Sequence, residues 1–303
     1  MVKKDALDRL AQLNRGELKN VPGSEKIEPE KTQEKSIPQG KQLDIVQEPA
    51  LAINRKRVDH IPLEEAAPGK ITRSEDGEFL LLKWKFKDLR KNAKKTVKQF
   101  PVQLAKLQNA NAENENIKGF DLINDIHPSK ILFLDIETCG LSASPLFLIG
   151  VAYFTGEDFI LLQLFARDYS EEKPLLAYFK DLFSQYDLLV TFNGKSFDYP
   201  FILNRGIEND INFQKDKLHI DLLHEVRKRW SRKLPNCKLQ TVEKIIYDRR
   251  RIGDIPGSEI PQVYREFVRT GNAALVKSIL EHNVLDIITL IDIVISMSEE
   301  ISV

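Results

Sequence analysis

A chain of 303 residues carrying 45 Lys+Arg against 45 Asp+Glu has no overall charge with which to attract a polyanion, so a grip on nucleic acid has to come from local patches. Hydrophobic content of 42% with 30% charged residues describes a mainly globular chain with a sizeable core. Two cysteines, Cys139 and Cys237, exclude a disulfide scaffold and a zinc finger and fit a reducing, cytoplasmic setting.

Leu7, Leu10, Ala11 and Leu13 fall at helical spacing within residues 4–13. Such a helix is too short to stand alone; a docking peptide for a protein partner and a frayed terminus both fit it. Residues 15–66 are rich in Lys, Glu, Gln and Pro with few aromatics, the composition of a disordered linker. The expected division is therefore 1–66 as helix plus flexible linker, 67–128 as a small strand and helix segment packing on the core, and 129–303 as the main domain. Residues 78–86 read as a strand, followed by a basic run from Lys85 to Lys98 that fits a solvated helix face or a phosphate contact.

After Pro128 the pattern turns α/β. Strands are expected at 131–137, 147–154 and 158–166, in an antiparallel meander. A helix follows at 171–186, a strand at 188–192 and a helix from 197 to about 205; helices at 221–231, 239–247, 260–270 and 273–299 complete the chain. Leu285 to Met297 is the most apolar stretch, but Asp286 and Asp292 interrupt it, which argues against a membrane span.

The chemistry starts at Ile131-Leu132-Phe133-Leu134-Asp135-Ile136-Glu137. Residues i and i+2 of a strand share a face, so Asp135 and Glu137 aim two carboxylates at one spot. Like charges there oppose folding unless a cation lies between them, and hard divalent ions want such oxygen ligands. An acidic strand end facing solvent is the plain alternative. Asp198 falls at a helix start beyond a strand's carboxyl end, a position that an ordinary helix cap also explains. His282 and Asp286, i and i+4 on an apolar helix, share a face.

Taken together, Asp-x-Glu on the first strand, Asn193-x-x-x-Phe197-Asp198 after the fourth and His282-x-x-x-Asp286 on the last helix resemble the DEDD exonuclease superfamily. Within it, Phe133–Ser142, Val190–Asp198, His219–His224 and Arg251-Ile252-Gly253-Asp254-Ile255-Pro256-Gly257 resemble the YprB-type ribonuclease-H-like proteins. The resemblance implies a ribonuclease H-like α/β fold, a mixed central sheet flanked by helices. It further implies 3′→5′ exonuclease action on single-stranded DNA or RNA through two divalent cations, Mg²⁺ or Mn²⁺. Asp135 would bridge both ions, Glu137 and Asp286 would serve the one that activates water, and Asp198 would hold the other. His282 would act as base, although the three-residue spacing to Asp286 matches the tyrosine-type group. Thr138, Gly140 and Leu141 would meet the terminal nucleotide, with Asn193 and Phe197 beside it; for Phe197 a core position fits equally. Arg249, Arg250 and Arg251, with the basic run around Trp230, suit a single-stranded backbone with a stacked base; a solvated face is the alternative. A binding module with a vestigial nuclease site and a structure-specific endonuclease are the rival functions.

Overall fold

The computed structural model describes residues 60–113, 125–141 and 143–299; the amphipathic stretch 4–13 and nearly all of the expected linker lie outside them. The compact unit begins at Asp59. Within it, α1 (Leu63–Ala66) falls where a linker is expected, and Ala66 and Ala67 are buried against the core. The linker composition therefore gives way to packed chain several residues earlier than the sequence predicts.

Seven strands form one sheet in the order β1-β2-β5-β4-β3-β6-β7. They are β1 (Lys70–Ser74), β2 (Gly77–Lys85), β3 (Ile131–Thr138), β4 (Leu146–Phe154), β5 (Phe159–Phe165), β6 (Leu188–Thr191) and β7 (Leu218–Asp221). The first five pair antiparallel, whereas β3–β6 and β6–β7 are parallel, which makes the sheet mixed. The meander β3–β4–β5 follows from short connections between apolar runs. The parallel pairs need crossovers, which α4 (Glu172–Ser184) and α5 (Asp198–Glu208) supply. Residues 70–85 extend the sheet itself instead of packing on it as a separate segment.

Both faces of the sheet are covered. On one, Leu132, Leu134 and Ile136 of β3 meet α4, α5 and α8 (Ile260–Thr270). On the other, Ile131 and Phe133 meet α3 (Ala93–Glu113), α6 (Leu222–Trp230) and α9 (Val276–Glu299). Short helices α2 (Phe86–Leu89) and α7 (Leu239–Ile246) complete the second layer. In α3, Val97, Phe100 and Leu104 are buried while Lys94, Lys95 and Lys98 face solvent, so the basic run is the outer face of an amphipathic helix. Among the described residues, no helix is long and apolar enough to cross a membrane.

Trp230 is 2% exposed and belongs to the second core cluster with Val226 and Val242, so the expected base-stacking position is corrected. Leu222, Leu223, Val226 and Trp230 line the inner face of α6 while Arg227 and Lys228 are turned outward. Trp230→Ala is expected to lower unfolding free energy by about 3–5 kcal/mol, measured by urea denaturation. A loss below about 1 kcal/mol would contradict the burial.

Candidate active site

Three elements bring four carboxyls and an imidazole to the carboxyl end of β3. Asp135 and Glu137 project from β3 on the face that α9 covers, and a register shift at Glu137/Thr138 ends the regular pairing with β4. Asp198, buried at the start of α5, accepts the Ile136 N–H at 3.2 Å. That tie holds the helix terminus to β3 beyond Phe133, the last residue β6 pairs. α9 contributes His282, Asn283 and Asp286.

Electrostatics marks these carboxyls as mutual neighbours. Burial lifts Asp135 well above the ordinary carboxylate range, and Asp286, Glu137 and Asp198 push it further. Glu137 rises to about 8, mainly by burial, with His282 opposing and Asp286 and Asp198 adding. Asp198 rises to about 7 by burial, against its backbone hydrogen bonds. Asp286 also rises by burial, in spite of Arg251 and His282. Buried carboxyls raised together in this manner are common at functional sites.

Asp135 and Asp286, like Asp198, are meanwhile turned to protein donors. Asn283 Nδ2 donates to Asp135 Oδ2 at 2.8 Å. Asp286 Oδ1 pairs with the Arg251 guanidinium, and its Oδ2 lies 3.5 Å from His282 Nε2. Among the described residues, no group of three or more His, Cys, Asp or Glu side chains is arranged to hold a metal ion as it stands. The donor set nevertheless fits divalent cations chemically: four hard oxygen donors are crowded at a cost that positive charge would relieve. Asp135, Glu137, Asp198 and Asp286 are the residues that would hold such ions.

The loop after α7 adds partners that motif reading passes over. Asp254 accepts from His282 Nδ1 at 2.9 Å, so the imidazole is oriented with Nε2 toward Asp286. Burial lowers the His282 pKa, but the hydrogen bond to Asp254 and the charges of Asp286 and Glu137 outweigh it and raise it. Arg251 also binds Glu243, through Nε at 2.6 Å, and Asp254 at 3.2 Å. Glu243 is buried and accepts from Thr289 as well. The sequence expectation gave Arg251 a phosphate; the structure gives it three carboxylates.

Other expected contacts scatter. Arg249 binds Thr289 Oγ1 at 3.0 Å and Asp292, whose other oxygen takes Arg90 at 2.5 Å. Arg250 is exposed. Leu141 is 53% exposed just past β3, whereas Thr138 is buried and donates to the Gly140 carbonyl at 2.7 Å. Asn193 adopts a left-handed backbone at φ 64, which Asn tolerates better than most residues. Its N–H goes to Asp221 at 2.7 Å, and Asp221 also takes the N–H groups of Lys195 and Leu223. That buried carboxylate fixes the turn leading to Asp198. Phe197 is partly buried against the first core cluster and Phe201. Cys139 is buried, and its thiol is pushed up to about 12 by desolvation, so it is an inert packing residue.

Carboxyls that titrate higher in the folded protein than in the unfolded chain keep their protons longer when folded. Stability is then full below the unfolded value and is lost as pH rises through the folded one. His282, raised as well, acts in the same direction. Asp254, lowered by His282 and Arg251 against burial, contributes a constant amount once ionised in both states. In chelator the melting temperature is expected to fall between the ordinary 4.5 of Glu137 and its folded value of about 8. The drop is on the order of 5 °C or more, since each kcal/mol moves Tm by about 2–4 °C at this size. Calorimetry across that range checks it; a flat or rising Tm would mean the carboxyls are not buried together.

A mixed sheet of four antiparallel and two parallel strand pairs, with acids gathered at the end of β3, fits a ribonuclease H-like fold. The family model described as the RNase_H superfamily matches residues 132–298, more than half of the chain, and the chain belongs to that superfamily. It is similar to the uncharacterized protein YprB of Bacillus subtilis (strain 168), 33% identical over 180 residues, which are 57% of this chain and 43% of that one. The chain thus spans less than half the length of that relative. Among solved structures, the family B DNA polymerase of the hyperthermophilic archaeon Pyrobaculum calidifontis aligns at 15% identity with a TM-score of 0.44, over 54% of this chain and 24% of that one.

Proposed function

We propose that the protein is a divalent-metal-dependent nuclease that hydrolyses phosphodiester bonds from a 3′ end of single-stranded nucleic acid. The observation that carries this reading is the convergence of Asp135, Glu137, Asp198 and Asp286, all raised in pKa, with an imidazole on the same face. When bound, two such ions supply charge to the scissile phosphate and acidify a water. His282, held at Nδ1 by Asp254, presents Nε2 to receive that water's proton. Leu141, exposed beside the site, suits an apolar contact with a terminal nucleotide.

One observation favours a second reading, a nucleic-acid-binding module with a weak site: the Arg251 guanidinium already supplies positive charge to Asp286. Matched 5′-labelled DNA and RNA oligonucleotides incubated with Mn²⁺ separate the two. Stepwise shortening supports the nuclease and reports its sugar preference and polarity. Binding without shortening supports the module. Cleavage of circular or end-blocked strands would instead identify an endonuclease.

A further inference from the structure

Beside Asp135 lies an arrangement that none of the motifs contains. In the register of the sheet Asp135 pairs with Gly150 on β4, and Gly150 pairs with Gln163 on β5. Residues paired across neighbouring strands point to the same face, so Asp135 and Gln163 stand on one side with a glycine between them. Two strand spacings, about 9–10 Å, separate their backbones. Asn283 of α9 lies in that gap. Its Nδ2 donates to Asp135 Oδ2 at 2.8 Å and to the Asp135 carbonyl at 3.3 Å, while its Oδ1 accepts from Gln163 Nε2 at 2.9 Å.

The gap exists because residue 150 has no side chain. A Cβ there would stand 2.1 Å from Asn283 Oδ1 and 2.6 Å from its Cγ and Nδ2, far inside contact distance. Alanine at 150 and the observed Asn283 rotamer are incompatible.

The hydrogen bonds also have a fixed direction. Gln163 Nε2 donates a second time, to the Leu280 carbonyl at 2.8 Å, and Gln163 Oε1 accepts from Trp84 Nε1 at 3.0 Å. An indole N–H can only donate, and the Asp135 main-chain carbonyl that Asn283 Nδ2 also meets can only accept. With a pure donor at one end and a pure acceptor at the other, neither amide can flip without leaving two like groups face to face. Asn283 and Gln163 are both fully buried, so a flipped amide would have no water to turn to.

We infer that Gly150, Gln163 and Asn283 form a positioning unit that holds the Asp135 carboxylate in one orientation for metal binding. The inference rests on the metal-dependent reading of the site. Within the unit Asn283 makes the contact, Gln163 sets the polarity of its amide and Gly150 leaves the room. The donated hydrogen bond also favours the charged form of Asp135, opposing the effect of burial. A carboxylate surrounded by other acids would otherwise rotate toward whatever donor lay nearest. Groups that orient a metal ligand in this manner typically contribute about 10- to 100-fold in affinity.

The test is calorimetric titration of the full chain with Mn²⁺, for the wild type, Asn283→Leu, Gly150→Ala and Gln163→Met, with melting curves in chelator beside it. Asn283→Leu is expected to weaken the apparent Mn²⁺ Kd by about 10–100-fold. Gly150→Ala should do the same although it removes no polar atom, and Gln163→Met should give a smaller loss. A purely structural role would lower Tm and leave the Kd of the folded protein unchanged. If Gly150→Ala does not fold, the other two variants decide by the same criterion. Kd values within about twofold of a wild type that does bind Mn²⁺ would overturn the positioning unit alone. A wild type that binds no Mn²⁺ would overturn the metal reading and this inference with it.

Discussion

Asp135→Asn is expected to abolish divalent-cation-dependent nucleotide release, by on the order of 10³-fold or more, while raising the melting temperature of the metal-free protein. The two effects have one cause. Asp135 is desolvated and faces Asp286, Glu137 and Asp198, so its charge opposes folding when no cation is near. An amide of the same shape removes that repulsion and still offers an oxygen for Asn283 to bond. It also removes a charged oxygen that a divalent ion requires. Single-turnover assays with Mn²⁺ and melts in chelator read the two effects separately. Full activity would refute the site, and a marked fall in stability would refute the electrostatic crowding.

His282→Ala should slow turnover by about 10²–10⁴-fold with a smaller change in KM. The imidazole is held by Asp254 at one nitrogen and turned toward Asp286 at the other, so it suits proton transfer better than substrate binding. Asp254→Asn should give a milder defect, since the ring stays but loses its orienting charge. Rate constants measured with saturating substrate check both. An unchanged rate in His282→Ala would remove the residue from the mechanism.

Most of the core architecture is legible in the residues themselves. β3, β4 and β5 are nearly continuous apolar runs, and α4 carries an apolar stripe at helical spacing, so period and length alone identify them. β1 escapes such reading because Lys70 and Arg73 are charged and most of its five residues are exposed; its pairing with β2, not its composition, makes it a strand. β7 is four residues long and follows a polar turn, too short for a periodic signal. α3 hides behind its lysines, although Val97, Phe100, Leu104 and Leu107 give the helical spacing that reveals it.

The four carboxylates and His282 of the candidate site stand in local motifs that the sequence itself displays. Asp254, Glu243 and Arg251 could not be assigned in the same manner. Arg251 meets Asp286 across 35 positions and Glu243 across eight, and nothing local distinguishes an arginine that binds phosphate from one enclosed by acids. Trp230 is a different case. Charged neighbours drew it toward solvent, but the spacing of Leu223, Val226 and Trp230 already marked an inner helical face.

The pairing of β2 with β5, from Leu80↔Phe165 to Lys85↔Ile160, has a practical consequence for anyone dissecting this chain. The region matched by the family model starts at residue 132, so trimming to it discards β2 and leaves β5 as a bare outer border. That border is apolar and unprotected by proline or charge, the kind that recruits a second copy or seeds fibrils. A fragment that keeps the sheet whole therefore has to begin before Lys70, well upstream of where homology alone would place the cut.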